Sequence, residues 1–336
     1  MQIALLALNV VSTRTRWLAK ALNANLYLLK SRPPYFNLVS KIFNIINEND
    51  IDTLIIQLPT GPLLFASVLS KKLTTNKELR IIADVHTGFL SAKLNLVITK
   101  HDILNAPFKP FLRYSDFIII HNETNYNLLP YEFHYKTIVL YDPFYIVRKF
   151  FAEKNCDNFE MKYLKNKDEK YAVYPASWHP DEPIEFLVKA WAHTDIPISL
   201  VITGRPQQQI LEKIREHVQI PKIIFTDYIK DYRKYLCLLS KALFIVSATY
   251  SDFDMQCSAY EALAIGKPII ASNKLAMRTV LGDIPVYFNY SKESLYKAVS
   301  FLLENYDYVQ SKTSVLTKRL EEKVKSQVEL FLESLK

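Results

Sequence analysis

Residues 251–272 decide the fold: Ser251-Asp252-Phe253-Asp254-Met255-Gln256-Cys257-Ser258-Ala259-Tyr260-Glu261-Ala262-Leu263-Ala264-Ile265-Gly266-Lys267-Pro268-Ile269-Ile270-Ala271-Ser272. Just before them, Leu243-Phe244-Ile245-Val246-Ser247 is a short apolar run rich in β-formers, the pattern of a buried parallel strand. A polar turn follows, and Asp254 is a good helix N-cap. Met255 to Ile265 then reads as a helix with an apolar stripe of Met255, Ala259, Ala262 and Leu263. Gly266 fits the C-terminal cap, Pro268 stops the helix, and Pro268–Ala271 is the next strand. A strand–loop–helix–strand unit of this kind offers two ligand-binding features. The amides of Met255, Gln256 and Cys257 at the helix start favour an anion such as a diphosphate. Asp254, Ser258 and Glu261 fall at i, i+4 and i+7, and a carboxylate one or two turns from a phosphate can accept from both hydroxyls of a ribose.

The second half of this stretch, Glu261-Ala262-Leu263-Ala264-Ile265-Gly266-Lys267-Pro268 followed by a strand, resembles the nucleotide-sugar motif of the group 1, GT-B, glycosyltransferases. That motif is Glu, seven residues, Glu, then Ala-x-Ala-x-Gly-x-Pro. The resemblance implies that Glu261 binds the donor ribose. The first Glu of the motif would fall at 253, where this chain has Phe253 flanked by Asp252 and Asp254; Asp254 is taken as the catalytic-side carboxylate. Three further stations follow from the resemblance. Gly204 ends a strand close to the donor nucleotide, with Arg205 beside it as a partner for the diphosphate. Tyr228 stands where the nucleobase is read, after Asp227 in place of the usual Gly. His179, in Ser177-Trp178-His179-Pro180, is the candidate substitute for the Arg and Lys that grip the diphosphate in the family and are missing here.

Working outward, 336 residues suggest two domains, and 49% apolar content supplies large cores. Residues 1–144 alternate strands (Ile3–Leu8, Asn25–Leu29, Thr53–Leu58, Arg80–Val85, Asp116–His121, Thr137–Tyr141) with helices, which predicts βαβ units and a parallel sheet. Residues 145–170 are charged and aromatic and read as a connection, with Lys162, Lys165, Lys167 and Lys170. Residues 171–310 repeat the alternation, and 311–336 read as an amphipathic helix with a stripe of Leu316, Leu320, Val324, Val328, Phe331 and Leu335. The expectation is α/β: two doubly wound Rossmann-like domains facing across a cleft, with the C-terminal helix packed back on the first.

Ligands of such sheets bind at the carboxyl ends of strands. That rule selects, in the first domain, Ser12-Thr13-Arg14-Thr15-Arg16, Asp84-Val85-His86-Thr87-Gly88 and Asn122-Glu123. Arg14 and Arg16 are candidates for a phosphate. Asp84 and Glu123 are placed on the acceptor side. The resemblance sets His86 near the donor sugar as a catalytic residue.

Net charge is +8, with 17 Lys and Arg against 10 Asp and Glu in residues 1–150 and 25 against 24 in the rest. A basic first half suits an acidic partner, including an anionic membrane face or a lipid phosphate. No apolar run reaches the roughly 18 residues of a membrane span. Three dispersed cysteines suggest neither a disulfide framework nor metal spacing, so a cytoplasmic location is expected, the inner membrane face included. The resemblance implies a glycosyltransferase that moves a sugar from a nucleotide diphospho-sugar to a hydroxyl of a glycan or lipid-linked acceptor. It further implies retention of configuration, no metal, and no cofactor beyond that co-substrate. A nucleotide-sugar epimerase of the same fold and a non-catalytic binding subunit are the alternatives. Nucleic acid is not an expected partner.

Overall fold

A computed structural model of the chain describes residues 1–33, 35, 37–90, 105–152, 156, 169–218 and 222–336. It divides into two compact units, Met1–Pro143 with Lys323–Lys336, and Phe144–Glu322.

The first unit is built on β1 (Ile3–Leu8), β2 (Asn25–Leu29), β3 (Thr53–Gln57), β4 (Arg80–Asp84), β5 (Phe117–Ile120) and β6 (Thr137–Val139). They form one parallel sheet in the order β2-β1-β3-β4-β5-β6. Strand side chains alternate between two cores, as the two-residue period of a strand requires. Ala4, Leu6, Leu54, Ile56, Ile81, Ile118 and Ile120 face one side, with α2 (Asn37–Glu48) and α3 (Gly61–Leu73). Ile3, Leu5, Ile55, Ile82 and Ile119 face the other, with Leu18 of α1 (Thr13–Ala21) and its C-cap residue Leu22. The same second core takes Val328, Phe331 and Leu335 from the C-terminal helix. A four-residue helix, α4 (Thr87–Leu90), follows β4.

The second unit opens with α5 (Tyr145–Ala152), at the start of the expected connection; residues 153–155 and 157–168 of that stretch, with its lysines 162, 165 and 167, lie outside the described residues. Its strands are β7 (Tyr171–Tyr174), β8 (Ser199–Ile202), β9 (Ile223–Phe225), β10 (Ile245–Ser247), β11 (Ile269–Ser272) and β12 (Val286–Phe288). They pair in parallel in the order β12-β11-β10-β7-β8-β9. The crossing helices are α6 (Ile184–Ala192), α7 (Gln208–Val218), α8 (Tyr232–Lys241), α9 (Cys257–Ala264), α10 (Leu275–Leu281) and α11 (Lys292–Glu304). One face of the sheet buries Ala172, Tyr174, Leu200, Ile202 and Val246 against Leu187 and Trp191 of α6 and Leu295, Val299 and Leu302 of α11.

The C-terminal helix α12 runs Tyr306–Ser334, starting five residues before the expected 311. Val309, 3% exposed, draws the added turn into the core of the second unit. Among the described residues no helix is long and apolar enough to cross a membrane.

One expectation is overturned. Cys156 and Cys237 of α8 are joined by a disulfide, with Cα atoms 5.4 Å apart across 81 residues of sequence. Pairing depends on tertiary approach, which dispersed cysteines do not announce. The cysteine-based ground for a cytoplasmic location goes with it.

Candidate active site

The strand order of the second unit reverses between β7 and β10, and in an open α/β sheet this switch point is where ligands bind, outside the carboxyl ends of the strands. The loops that leave these two strands are tied together. Tyr250 N–H donates to Asp181 O (2.7 Å) and Thr249 Oγ1 to Asp181 Oδ2 (3.0 Å). The loop after β10 leads into α9, which starts at Cys257 and not at Met255. The N-cap is Gln256, with extended backbone and no side-chain cap bond, so the expected cap at Asp254 is corrected. The cause is local: Ser251 Oγ accepts from Phe253 N–H (3.2 Å), closing a turn before Asp254. The chain then continues without helical structure through Gln256. Asp254, Met255 and Gln256 therefore lie in the approach to the helix, and Cys257 and Ser258 contribute the first helical amides. The far end fits the expected stop. Gly266 has φ +72° and donates to Leu263 O (3.1 Å), while Lys267 N–H donates to Ala262 O (2.9 Å), a Schellman closure.

Ser258 is buried, and its hydroxyl bonds to Ser247 Oγ (3.0 Å) at the end of β10, inside the fold. Glu261 is 5% exposed, so its carboxylate is not the open group the sequence reading has. Tyr232 Oη donates to Oε1 (3.0 Å) and Tyr235 Oη to Oε2 (2.6 Å), both from α8. Burial first, and then the Glu261 charge, pushes the Tyr235 hydroxyl well above its ordinary pKa, which keeps it a donor.

Gly204 follows β8 with φ +90°, and a Cβ there would stand 2.0 Å from Ala176 O and 2.9 Å from Trp178 Cδ1. The close approach that demands glycine is thus to the loop after β7. Arg205 is exposed beside it. Tyr228 is 62% exposed, and Asp227, in place of a Gly, has φ +57°, the left-handed region where Gly is at no cost. In the loop after β7, Glu182 accepts the N–H groups of Ser177 (3.0 Å), Trp178 (2.6 Å) and His179 (3.2 Å), and the Ser177 hydroxyl (2.8 Å). Three successive amides converge on one point, the form of an anion-binding nest, and the chain's own carboxylate fills it. His179 is exposed and its Nδ1 bonds Asp181, so its ring is already engaged.

In the first unit, Arg14 is 2% exposed and points inward, contrary to a role as a ligand-facing cation. It donates to Asp84 Oδ1 (3.1 Å from Nη2), to Asp142 Oδ1 and to Leu140 O (2.9 Å). Ser12 caps α1 through Thr15 N–H (3.1 Å), Thr15 Oγ1 donates to Gln57 (2.7 Å), and Arg16 is exposed. Asp84, at the end of β4, is fully buried. Burial alone would raise its carboxyl, but Arg14, His121 and His86 outweigh that and hold it well below the usual carboxylate range. His86 and His121 pack edge to face, ring centres 4.4 Å apart. Burial, then His121, pushes His86 down to about 3, so the imidazole is neutral near pH 7. Glu123 accepts from Tyr141 Oη (2.6 Å) and Lys323 Nζ (3.3 Å). That ties Lys323 of α12 to the segment after β5, and the Glu123 carboxylate stays 42% exposed. A polar cavity of about 500 Å³ lined by Asn9, Lys30, Ser31, Arg32 and Asn37 opens beyond the carboxyl ends of β1 and β2.

Residues 156–321 match the family model described as glycosyl transferases group 1. The chain carries a group 1 glycosyltransferase domain. It is an enzyme of glycosyl transfer with the GT-B fold. HepE of Anabaena, solved with UDP and glucose, is 10% identical with a TM-score of 0.72, over 99% of this chain and 100% of that one. Sucrose-phosphate synthase of Thermosynechococcus elongatus is 15% identical, TM-score 0.70, over 100% and 98%. UDP-GlcNAc 2-epimerase of Neisseria meningitidis, bound to UDP-GlcNAc, is 13% identical, TM-score 0.60, over 100% and 99%. No curated protein matches by sequence search. Within the glycosyltransferase, sequence reasoning missed Tyr232, Tyr235, Glu182, His121 and Asp142. Tyr232 and Tyr235 carry a usable signal, three residues apart behind the Asp231 N-cap, whose side chain accepts from Arg233 N–H (2.9 Å). His121 and Asp142 are defined only by partners distant in sequence, whereas the partners of Glu182 lie three to five residues before it.

Proposed function

We propose that the protein transfers a sugar from a nucleotide diphospho-sugar to an acceptor hydroxyl with retention of configuration. The observation that carries this is Glu261. It sits one turn into the helix that follows the switch-point strand of the group 1 domain, held by two tyrosine hydroxyls. The carboxylate that these tyrosines orient takes the ribose hydroxyls, and the amides at Cys257 and Ser258 take the diphosphate. Since Glu182 fills the nest after β7, Arg205 is the side chain that neutralises the departing diphosphate, an electrostatic task. Amides and a cation hold the leaving group, so this step needs no metal at the diphosphate. Tyr228 stacks on the base. The acceptor, a glycan or a lipid-linked sugar, binds the first unit through the cavity at Lys30 and Arg32, which suits a phosphate on the acceptor. HepE and the epimerase were solved with uridine nucleotides, so UDP-sugars are the first donors to test.

Titration calorimetry with a panel of nucleotide sugars tests the donor site. Glu261→Ala should weaken the bound donor by about 10- to 100-fold, from the loss of charge-assisted hydrogen bonds, with the fold intact. An unchanged donor constant would remove the central residue of this reading. The fold likeness to UDP-GlcNAc 2-epimerase supports a second reading, epimerisation without an acceptor. Labelled nucleotide sugar incubated with the enzyme alone separates the two, because only the epimerase yields a new sugar nucleotide.

A further inference from the structure

The buried cluster at the ends of β4 and β5 has a feature that sugar transfer does not use. Among the described residues, Asp84 Oδ2, His86 Nε2 and His121 Nε2 are each buried and none has a hydrogen-bond partner. Unpaired buried polar atoms are costly, and three side by side call for a common partner. They also converge. His86 Nε2 lies 3.8 Å from Asp84 Oδ2, His121 Nε2 lies 3.4 Å from Asp84 Oδ1, and one ligand atom from each residue falls within 4.8 Å of the others. Ligands about 2.0–2.2 Å from a tetrahedral ion stand about 3.3–3.6 Å apart. The widest spacing must therefore contract by up to about 1.5 Å for the cluster to close on one.

We propose that Asp84, His86 and His121 bind a divalent transition ion, zinc by the chemistry of the donors, in the first unit of the protein. Two imidazoles and one carboxylate form the ligand set of an open zinc site, with the fourth position left for water or a hydroxyl-bearing ligand. Charge supports it. Asp84 and Asp142 bring two formal negative charges against the single positive charge of Arg14. Arg14 holds Asp84 by Oδ1 and leaves Oδ2 for the metal, the way a ligating carboxylate is fixed by an outer partner. This site belongs to the first unit and Glu261 to the second, and it gives His86 a task other than the sugar contact that the family resemblance implies.

The test uses the full chain, without an affinity tag, stripped with a chelator and titrated with zinc chloride in the absence of any nucleotide. One equivalent should bind and raise the melting temperature. Cobalt should give the visible absorption of a tetrahedral site. His86→Ala and His121→Ala, with folding checked by circular dichroism, should each weaken zinc by about 100-fold or more. No uptake, or uptake that survives both substitutions, overturns the proposal. If a variant does not fold, X-ray absorption on the zinc-loaded wild type decides. A shell of two imidazole nitrogens and oxygen upholds the site, and sulfur or a single imidazole ends it. Because no nucleotide is present, failure here leaves the Glu261 reading untouched, and failure of that reading leaves this one untouched.

Discussion

At the scale of single residues, the informative events are polar groups meeting across long stretches of chain. Glu261 is the clearest. A buried carboxylate needs partners, and Tyr235 supplies its shorter bond, 2.6 Å. Tyr235→Phe should cost about 1–3 kcal/mol of stability in urea unfolding, because Oε2 loses its donor. It should also weaken the donor nucleotide in calorimetry, since the carboxylate is no longer fixed. A variant that binds donor like the wild type would show that Tyr235 only fills space. His179 makes a second case, with a pH signature. Its hydrogen bond to Asp181 raises its pKa above the ordinary 6.5, against burial, which lowers it. A raised folded pKa contributes stability that is complete below the unfolded value and disappears as pH rises through the folded one. The ring is 71% exposed, so the effect is a few tenths of a kcal/mol at most, by order of magnitude. His179→Gln should therefore lower the melting temperature slightly near pH 6 and not at all near pH 9; a loss that is equal at both would mean packing, not charge. The sequence places Asp84, His86 and Glu123 at strand ends by the two-residue period alone. It is silent on their partners. Arg14 reaches Asp84 across 70 residues and Lys323 reaches Glu123 across 200, and nothing local to either position records the other.

At the scale of elements, legibility is high where the pattern is hydrophobic and lower where it is conformational. Ile3–Leu8 and Val286–Phe288 stand as read, because apolar runs between turn residues leave one solution. The start of α9 shifts by two residues, because Asp254 has the side chain of a cap but follows a turn closed by Ser251. Positive φ is the other hidden term. Asp227, Trp178 and Asn9 adopt it in the loops that follow strands, where no glycine marks the place. Gly204 is where the two meet: a left-handed backbone and a Cβ that would lie 2.0 Å from a carbonyl oxygen. Gly204→Ala must push the loop after β7 away from β8. The cost should be about 3 kcal/mol or more, as for a buried backbone position that cannot relax. Urea unfolding of the variant checks it. A loss under about 1 kcal/mol would mean that the loop carrying Glu182 yields readily.

At the scale of the whole molecule, each sheet has its own cores, and one helix contributes to both units. Residues 306–322 of α12 belong to the second unit and 323–334 to the first. Two separately cored units predict two calorimetric transitions, since a single two-state melt is not the rule for such chains. Phe331 tells them apart. It is fully buried beside Leu5, Ile55 and Leu18, so Phe331→Ala removes a ring from the first unit alone. The first transition should lose about 3–5 kcal/mol and the second should hold. A bound nucleotide sugar should do the reverse, raising only the transition of the unit that contains Glu261. Zinc, if held by Asp84 and the two histidines, should raise the one that Phe331→Ala lowers. One set of scans thus assigns fold, donor and ion to their units. Should Phe331→Ala and the nucleotide move the same transition, the units melt as one block. In that case α12 couples them strongly enough that neither can be assigned a stability of its own.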